Sequence, residues 1–329
     1  MRRYSSSSNR TRAVGGIFAV VVAFVSAHEP GGDDVAIEKL MPPGPPSRPW
    51  TLIAGKHWQL ASTEIEDPGV TDEAEGTRGG CPEGMVDVRG SMKMDGEHGT
   101  VEGLQDTTCT DWISRDFPER CARFDADRWD VLAKELPVKA QHFCIDRFEY
   151  PNRKGAFPII AVTWREAGAL CEDRGARLCS EDEWTFACEG EDARPYPTGF
   201  VRDEKACVID RPWRLFDERL FAVRDSAFAI GEIDYVWQGE ASGARPLCRS
   251  PFGVYDTTGN VDEWTRSTQR EGYESVFKGG YWGPVRARCR AATRAHNEDF
   301  YFYQQGFRCC ADAPATDQLE RVEASDAGL

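Results

Sequence analysis

The sequence predicts a domain of mixed α and β structure with much loop. Three observations predict it. Apolar and polar residues alternate over 85–88 and 143–150, the pattern of half-buried strands. Thr163 and Ser180 are each followed three residues later by a glutamate, Glu166 and Glu183, the signature of a capped helix start. Residues 190–246 carry no clear periodicity and read as long loops around short strands.

Taken in order, residues 1–27 read as an export signal. Arg2, Arg3, Arg10 and Arg12 make a basic start, residues 13–25 are apolar and uncharged, and Val25, Ser26 and Ala27 end the run with small residues. A spanning helix needs about 20 apolar residues, so an uncleaved membrane anchor is the alternative and not the main expectation. The expected location is secreted, periplasmic or cell-surface. Removing four arginines and no acid takes the net charge from −15 to −19. Such a surface repels phosphate backbones and anionic lipid faces, which excludes nucleic acid and leaves no membrane role beyond that anchor.

Residues 28–79 read as a flexible linker rich in Pro, Gly and acids, with Trp50 and Trp58 as candidates for local docking. Such a stretch buries too little apolar surface to offset its ordering entropy. The domain proper spans 80–312, and 313–329 is a polar, disordered tail. Within the domain, 104–135 reads as a loop-rich insertion holding Cys109, Trp112, Cys121 and Trp129, with a Cys109–Cys121 bridge as a candidate. The two capped helices follow. Ala167, Leu170 and Cys171 share one face of the first, which Gly175 stops, and Trp184, Ala187 and Cys188 share one face of the second. Twelve cysteines, an even number with no Cys-x-x-Cys pair, read as disulfides before metal ligands in an exported chain.

Five motifs stand in a fixed order: Ala-Val-Thr-Trp-Arg-Glu-Ala at 161–167, Gly-Ala-Arg-Leu-Cys-Ser-Glu-Asp-Glu-Trp at 175–184, Phe-Gly-Val-Tyr-Asp-Thr-Thr-Gly-Asn-Val-Asp-Glu-Trp at 252–264, Lys-Gly-Gly-Tyr-Trp at 278–282 and Gly-Phe-Arg-Cys at 306–309. Together they resemble the formylglycine-generating enzyme, or sulfatase-modifying factor, family over about 81–311. The resemblance implies one compact, disulfide-stabilised α+β domain with little regular secondary structure, a variant of the C-type-lectin-like fold. Enzymes of the family oxidise a sulfatase cysteine to formylglycine, using oxygen and a copper ion held on two closely spaced cysteines after the Gly-Gly motif. Thiolates suit that metal because soft ligands select Cu(I). Here residues 283–288 read Gly-Pro-Val-Arg-Ala-Arg, and Cys289 matches a structural strand cysteine of the family. The resemblance thus implies a member without the usual copper pair, a pseudoenzyme acting as a binding module or else an enzyme of uncharacterised chemistry, and copper is not expected. The remaining catalytic candidates are Cys289 and Cys310. An oxidase recruiting them, or a periplasmic oxidative tailoring enzyme, is the alternative.

The resemblance also implies bridges Cys171–Cys309 and Cys188–Cys289, the latter with a one-residue offset left open. Cys207 and Cys248 flank the variable loops and are expected to pair, while Cys81, Cys144, Cys179 and Cys310 stay unassigned. The Gly-Asn-x-x-Glu-Trp turn implies calcium on Asn260, Val261 and Glu263, oxygen donors that suit that ion. The competing reading is a turn with Asn260 left-handed and Trp264 in the core. A second family calcium site meets Val208 where it needs Asn. Trp282, Arg290, Arg294, Tyr301 and Tyr303 fall in the region that lines the family's groove, expected to take a protein, peptide or glycan. For Arg290, Arg294 and Arg308, salt bridges with acids such as Asp256 or Glu263 are expected ahead of anion or substrate binding. His57, His98, His142 and His296 show no ligand spacing, which argues against the family's iron-dependent sulfoxide synthases.

Overall fold

The computed structural model describes residues 45–62, 80–97 and 99–314. The expected signal, most of the expected linker, His98 and the tail beyond 314 lie outside the described residues.

Residues 45–62 lie in the expected linker yet form a hairpin, β1 (Trp50–Ile53) against β2 (His57–Leu60). Trp58 and Leu60 join a buried cluster with Ile160, Val208 and Trp237, and Trp50 packs edge-on against Trp237. The apolar payload of two indoles offsets the ordering entropy that composition alone suggested could not be met. The backbone entry is fixed by Asp234, which accepts from Ser47, Arg48 and the Trp50 indole.

The alternating segments become β3 (Met85–Lys93) and, later in the chain, β6 (Val138–Asp146), paired antiparallel from Met85 opposite Asp146 to Lys93 opposite Val138. The second strand stops four residues short of Tyr150 because the Asn152 side chain accepts from the Phe148 N–H and turns the chain.

Between them, 104–135 is more regular than a loop-rich insertion. It holds most of α1 (Val101–Thr107), β4 (Cys109–Ser114), β5 (Arg120–Phe124) and α2 (Ala126–Ala133). Thr100 and Asp125 cap the helices through side-chain oxygens. Trp129 is fully buried and donates to the Asp192 carbonyl, which ties the insertion to the rest. Helices of seven and eight residues offer too short a window for periodicity to register.

Both predicted helices are present as α3 (Trp164–Glu172) and α4 (Glu181–Glu189), each opened by a reciprocal capping box. The two-residue β7 (Arg177–Leu178) lies between them, and α5 (Ala227–Val236) follows the long loops. The closing strands are β8 (Asp262–Arg266), β9 (Ser275–Lys278), β10 (Ala292–Thr293), β11 (Gln305–Phe307) and β12 (Cys309–Asp312). They build two four-stranded sheets, β3-β6-β12-β7 and β10-β9-β8-β11. The molecule is α+β with short elements, as expected. No helix among the described residues is long and apolar enough to cross a membrane.

All twelve cysteines lie in six disulfides. Cys109–Cys121, Cys171–Cys309, Cys188–Cys289 and Cys207–Cys248 form as expected, without the offset. The unassigned four close as Cys81–Cys144 and Cys179–Cys310. The last joins β12 to the residue that follows β7: the two strands pair antiparallel, Leu178 opposite Cys309, and the Cys179 and Cys310 Cα atoms lie 4.8 Å apart.

Candidate functional site

Strands β8 and β11 run parallel, with Asp262 beside Gln305, Glu263 beside Gly306 and Trp264 beside Phe307. Side chains alternate across a sheet, so this register sorts the acids. Glu263 turns inward and is fully buried, where Arg308 grips both its oxygens at 2.6 Å and the Trp184 indole donates at 2.7 Å. Asp262 and Gln305 instead line a cavity of about 760 Å³. That volume is within the range of small-molecule pockets.

The cavity has an aromatic wall and rim, from Phe277, Phe300 and Phe302 to Phe117 and Trp213, the last two largely exposed. Phe117 comes from the turn between β4 and β5, so the insertion contributes directly to the site. Its polar lining sets Glu218, Asp262, Gln304 and Gln305 beside Arg286, Arg294 and His296. Burial first, then the charge of Glu263, pushes the Asp262 carboxyl up to about 7 against a hydrogen bond from the Gly280 N–H. The side-chain oxygens of Gln304 and Gln305 are buried and without a hydrogen-bond partner. Tyr281 at the wall shares a hydrogen bond with Tyr303, and burial raises both phenols, Tyr303 to about 12.

Of the five groove candidates, only Arg294 reaches this cavity, and it is ion-paired with Glu181. Trp282 and Tyr303 are buried in the core around Trp237. Arg290 pairs with the fully buried Glu189 at 2.5 Å and also donates to the Lys93 carbonyl. Tyr301 donates to the Phe221 carbonyl beneath the Arg224 guanidinium. Arg290, Arg294 and Arg308 thus all serve carboxylates, Arg308 the expected Glu263. His296 lines the cavity and stacks on Phe300.

The catalytic candidates Cys289 and Cys310 are not thiols. They belong to different bridges, because α4 turns Cys188 onto Cys289 while β12 delivers Cys310 to Cys179. Of Asn260, Val261 and Glu263, the residues expected for calcium, Asn260 and Glu263 have side chains engaged within the protein. Both Glu263 oxygens are held by Arg308, and the Asn260 side-chain oxygen accepts from the Glu240 N–H while its amide donates to Glu149. Asn260 is left-handed at φ 56°, Trp264 is buried, and Val208 accepts from the Asn260 N–H with its carbonyl. The Gly259 before it has φ +82°, and an added Cβ would lie 2.2 Å from that same carbonyl, so only glycine fits.

Sequence reasoning missed Asp262, Gln304, Gln305, Phe117 and Trp213. The one local signal was the acid at the variable position of the Gly-Asn-x-x-Glu-Trp turn. The rest depends on a parallel pairing between segments some forty residues apart, which no local pattern announces.

Comparison with known proteins gives a consistent result. Residues 98–313 match the sulfatase-modifying factor enzyme 1-like domain. An inactive C-alpha-formylglycine-generating enzyme 2 from Mus musculus is 32% identical over 175 residues, covering 49% of this chain and 51% of that protein. A formylglycine-generating enzyme from Mus musculus is 29% identical over 178 residues, covering 47% and 44%. The chain therefore spans about half the length of the curated relatives it matches. Among solved structures, PvdO from Pseudomonas aeruginosa aligns over 77% of this chain and 99% of that one, at 15% identity and a TM-score of 0.43.

Proposed function

The chain belongs to the sulfatase-modifying factor family, and from that premise we propose that it is an exported binding module of the family and not a formylglycine-generating oxidase. The observation that carries this reading is the complete pairing of the cysteines. Copper-dependent oxidation in the family needs two thiolates, and a bridged sulfur is neither a thiolate nor free to become one without a reductant. Similarity to a relative named inactive supports the same reading. Six bridges fit maturation in an oxidising compartment, which supports export, and the basic-then-apolar start of the sequence supports a signal as the route.

The binding surface in this reading is the aromatic cavity on the β8–β11 floor. Exposed Phe117 and Trp213 at its rim support a partner site, because large solvent-facing aromatics around a concave surface are characteristic of one.

Two measurements test the proposal together. Mass-spectrometric mapping without reduction, with free thiols trapped, is expected to find six bridges and no trapped cysteine. Copper-loaded protein given a Cys-x-Pro-x-Arg peptide is expected to consume no oxygen above the peptide alone. Two trapped thiols with peptide-dependent oxygen uptake would replace the binding module by the oxidase.

A further inference from the structure

We infer that the cavity on the β8–β11 floor is a subsite for a primary ammonium group carried on an apolar body, with Asp262 and Gln305 as its recognition pair. The inference rests on the binding-module reading and names the chemistry its ligand would present.

The parallel register places Asp262 and Gln305 side by side, and adjacent strands lie about 4.8 Å apart. Gln305 is 1% exposed and its side-chain oxygen has no partner. Leaving a buried acceptor unmet is costly, so natural structures rarely do it without a use for the group. Gln304 adds a second unmet oxygen to the same cavity. Asp262 receives a hydrogen bond from Gly280 N–H, and the other charge acting on it is the like charge of Glu263. Gln304 and Gln305 thus present oxygens that no donor answers, beside a carboxyl group that a single backbone N–H answers. An ammonium is all donor, with three N–H bonds and no acceptor. Its positive charge also matches the aromatic wall, since ring faces attract cations.

The cations already at the cavity are committed elsewhere. Arg294 pairs with Glu181, and Arg286 lies 3.8 Å from Glu102 and 3.9 Å from Glu119. His296 is stacked on Phe300, and burial holds its pKa below the ordinary value. An anion would meet Asp262 and Glu218 at the cavity lining with no free cation to offset them. A neutral apolar ligand would leave both glutamine oxygens unmet.

Calorimetric titration of the full exported protein tests the assignment with three probes: 4-phenylbutylamine, its N-acetyl derivative, and a Gly-Phe-Lys-Gly peptide. The free amine is expected to bind at least about tenfold more tightly than the acetylated compound, the loss that follows from one charge-assisted contact. Comparable binding by the peptide would place the ammonium on a protein partner, and binding by the amine alone would place it on a small molecule. Asp262→Asn is expected to weaken the amine about tenfold or more and Gln305→Leu severalfold, both with thermal unfolding at or above that of the parent. Equal affinity for amine and acetyl compound, or variants that bind the amine like the parent, would overturn the ammonium assignment and leave a binding module for a neutral ligand. Absence of binding by all three probes would overturn it too, while the disulfide map and oxygen assay judge the parent reading separately.

Discussion

Two sides of one strand pair treat buried polarity in opposite ways. On the inner side of β8, the Glu263 carboxylate is fully buried and answered by Arg308 and Trp184. The neighbouring Asp146 is equally buried and takes Arg174, Asn152 and the Cys309 N–H. On the outer side, Gln305 is as buried as Glu263 and has an oxygen that nothing answers. Burial alone therefore does not separate framework from site. What differs is satisfaction: the fold completes Glu263, while it desolvates the Gln305 oxygen and leaves it open toward the cavity.

The contrast can be broken by substitution. Arg308→Met should be the most damaging change, because it leaves the Glu263 charge buried and unpaired. Urea unfolding is expected to show a loss of about 3–5 kcal/mol, and a loss below 1 would mean that the inner pair is not framework. Replacing Cys188 and Cys289 together by alanine should cost about 2–5 kcal/mol in the same assay, since the bridge closes a span of 101 residues. On the outer side the sign should reverse. Gln305→Leu exchanges an unmet acceptor for an apolar side chain and is expected to be neutral or to gain on the order of 1 kcal/mol. A loss of 2 or more would mean that the oxygen has a structural partner.

The smallest effect depends on pH. Burial pushes the Asp256 carboxyl up to about 7, despite the hydrogen bond it accepts from Gly243 and the charge of Arg308. A raised acid binds its proton more tightly when folded, so stability falls as pH rises from about 4 to 7 and is level above that. Asp256→Asn keeps the acceptor and tolerates the left-handed φ of 58°. It is therefore expected to raise the unfolding midpoint at pH 8 and leave it unchanged at pH 4, a gain on the order of 1 kcal/mol. Equal midpoints at pH 8 would mean that Asp256 is already ionised at little cost. Millimolar calcium is expected to leave both midpoints in place, as the engaged Glu263 and Asn260 side chains imply.

How far the sequence was legible follows from the range of each signal. The capping boxes at Thr163 and Ser180 are local, three residues wide, and both helices start where they say. The cysteines became legible through ordered motifs, which carry spatial information that spacing lacks. Cys179 and Cys310 stayed open because their meeting depends on the register of β7 on β12. The docked hairpin was obscured by composition: Pro and Gly dominate around it, and two tryptophans outweigh them. At the site, Arg290 and Arg294 were visible as charges, but whether each meets a carboxylate or a ligand is decided by Glu189 and Glu181 on α4. Asp262 was in view throughout. Its significance lies in what stands beside it, and that neighbour arrives forty residues later.

The six bridges also define a map of covalent connectivity. Two of them span 81–144, and the other four span 171–310. No bridge crosses from residue 145 to residue 170. A protease that nicks the long loops between α4 and β8 would thus leave one molecule on a non-reducing gel, its halves still joined through Cys171, Cys179 and Cys188. A nick between Asp146 and Trp164 would release two. Between the first bridged cysteine and the last, covalent integrity is decided by that one uncrossed stretch, which runs from β6 to α3.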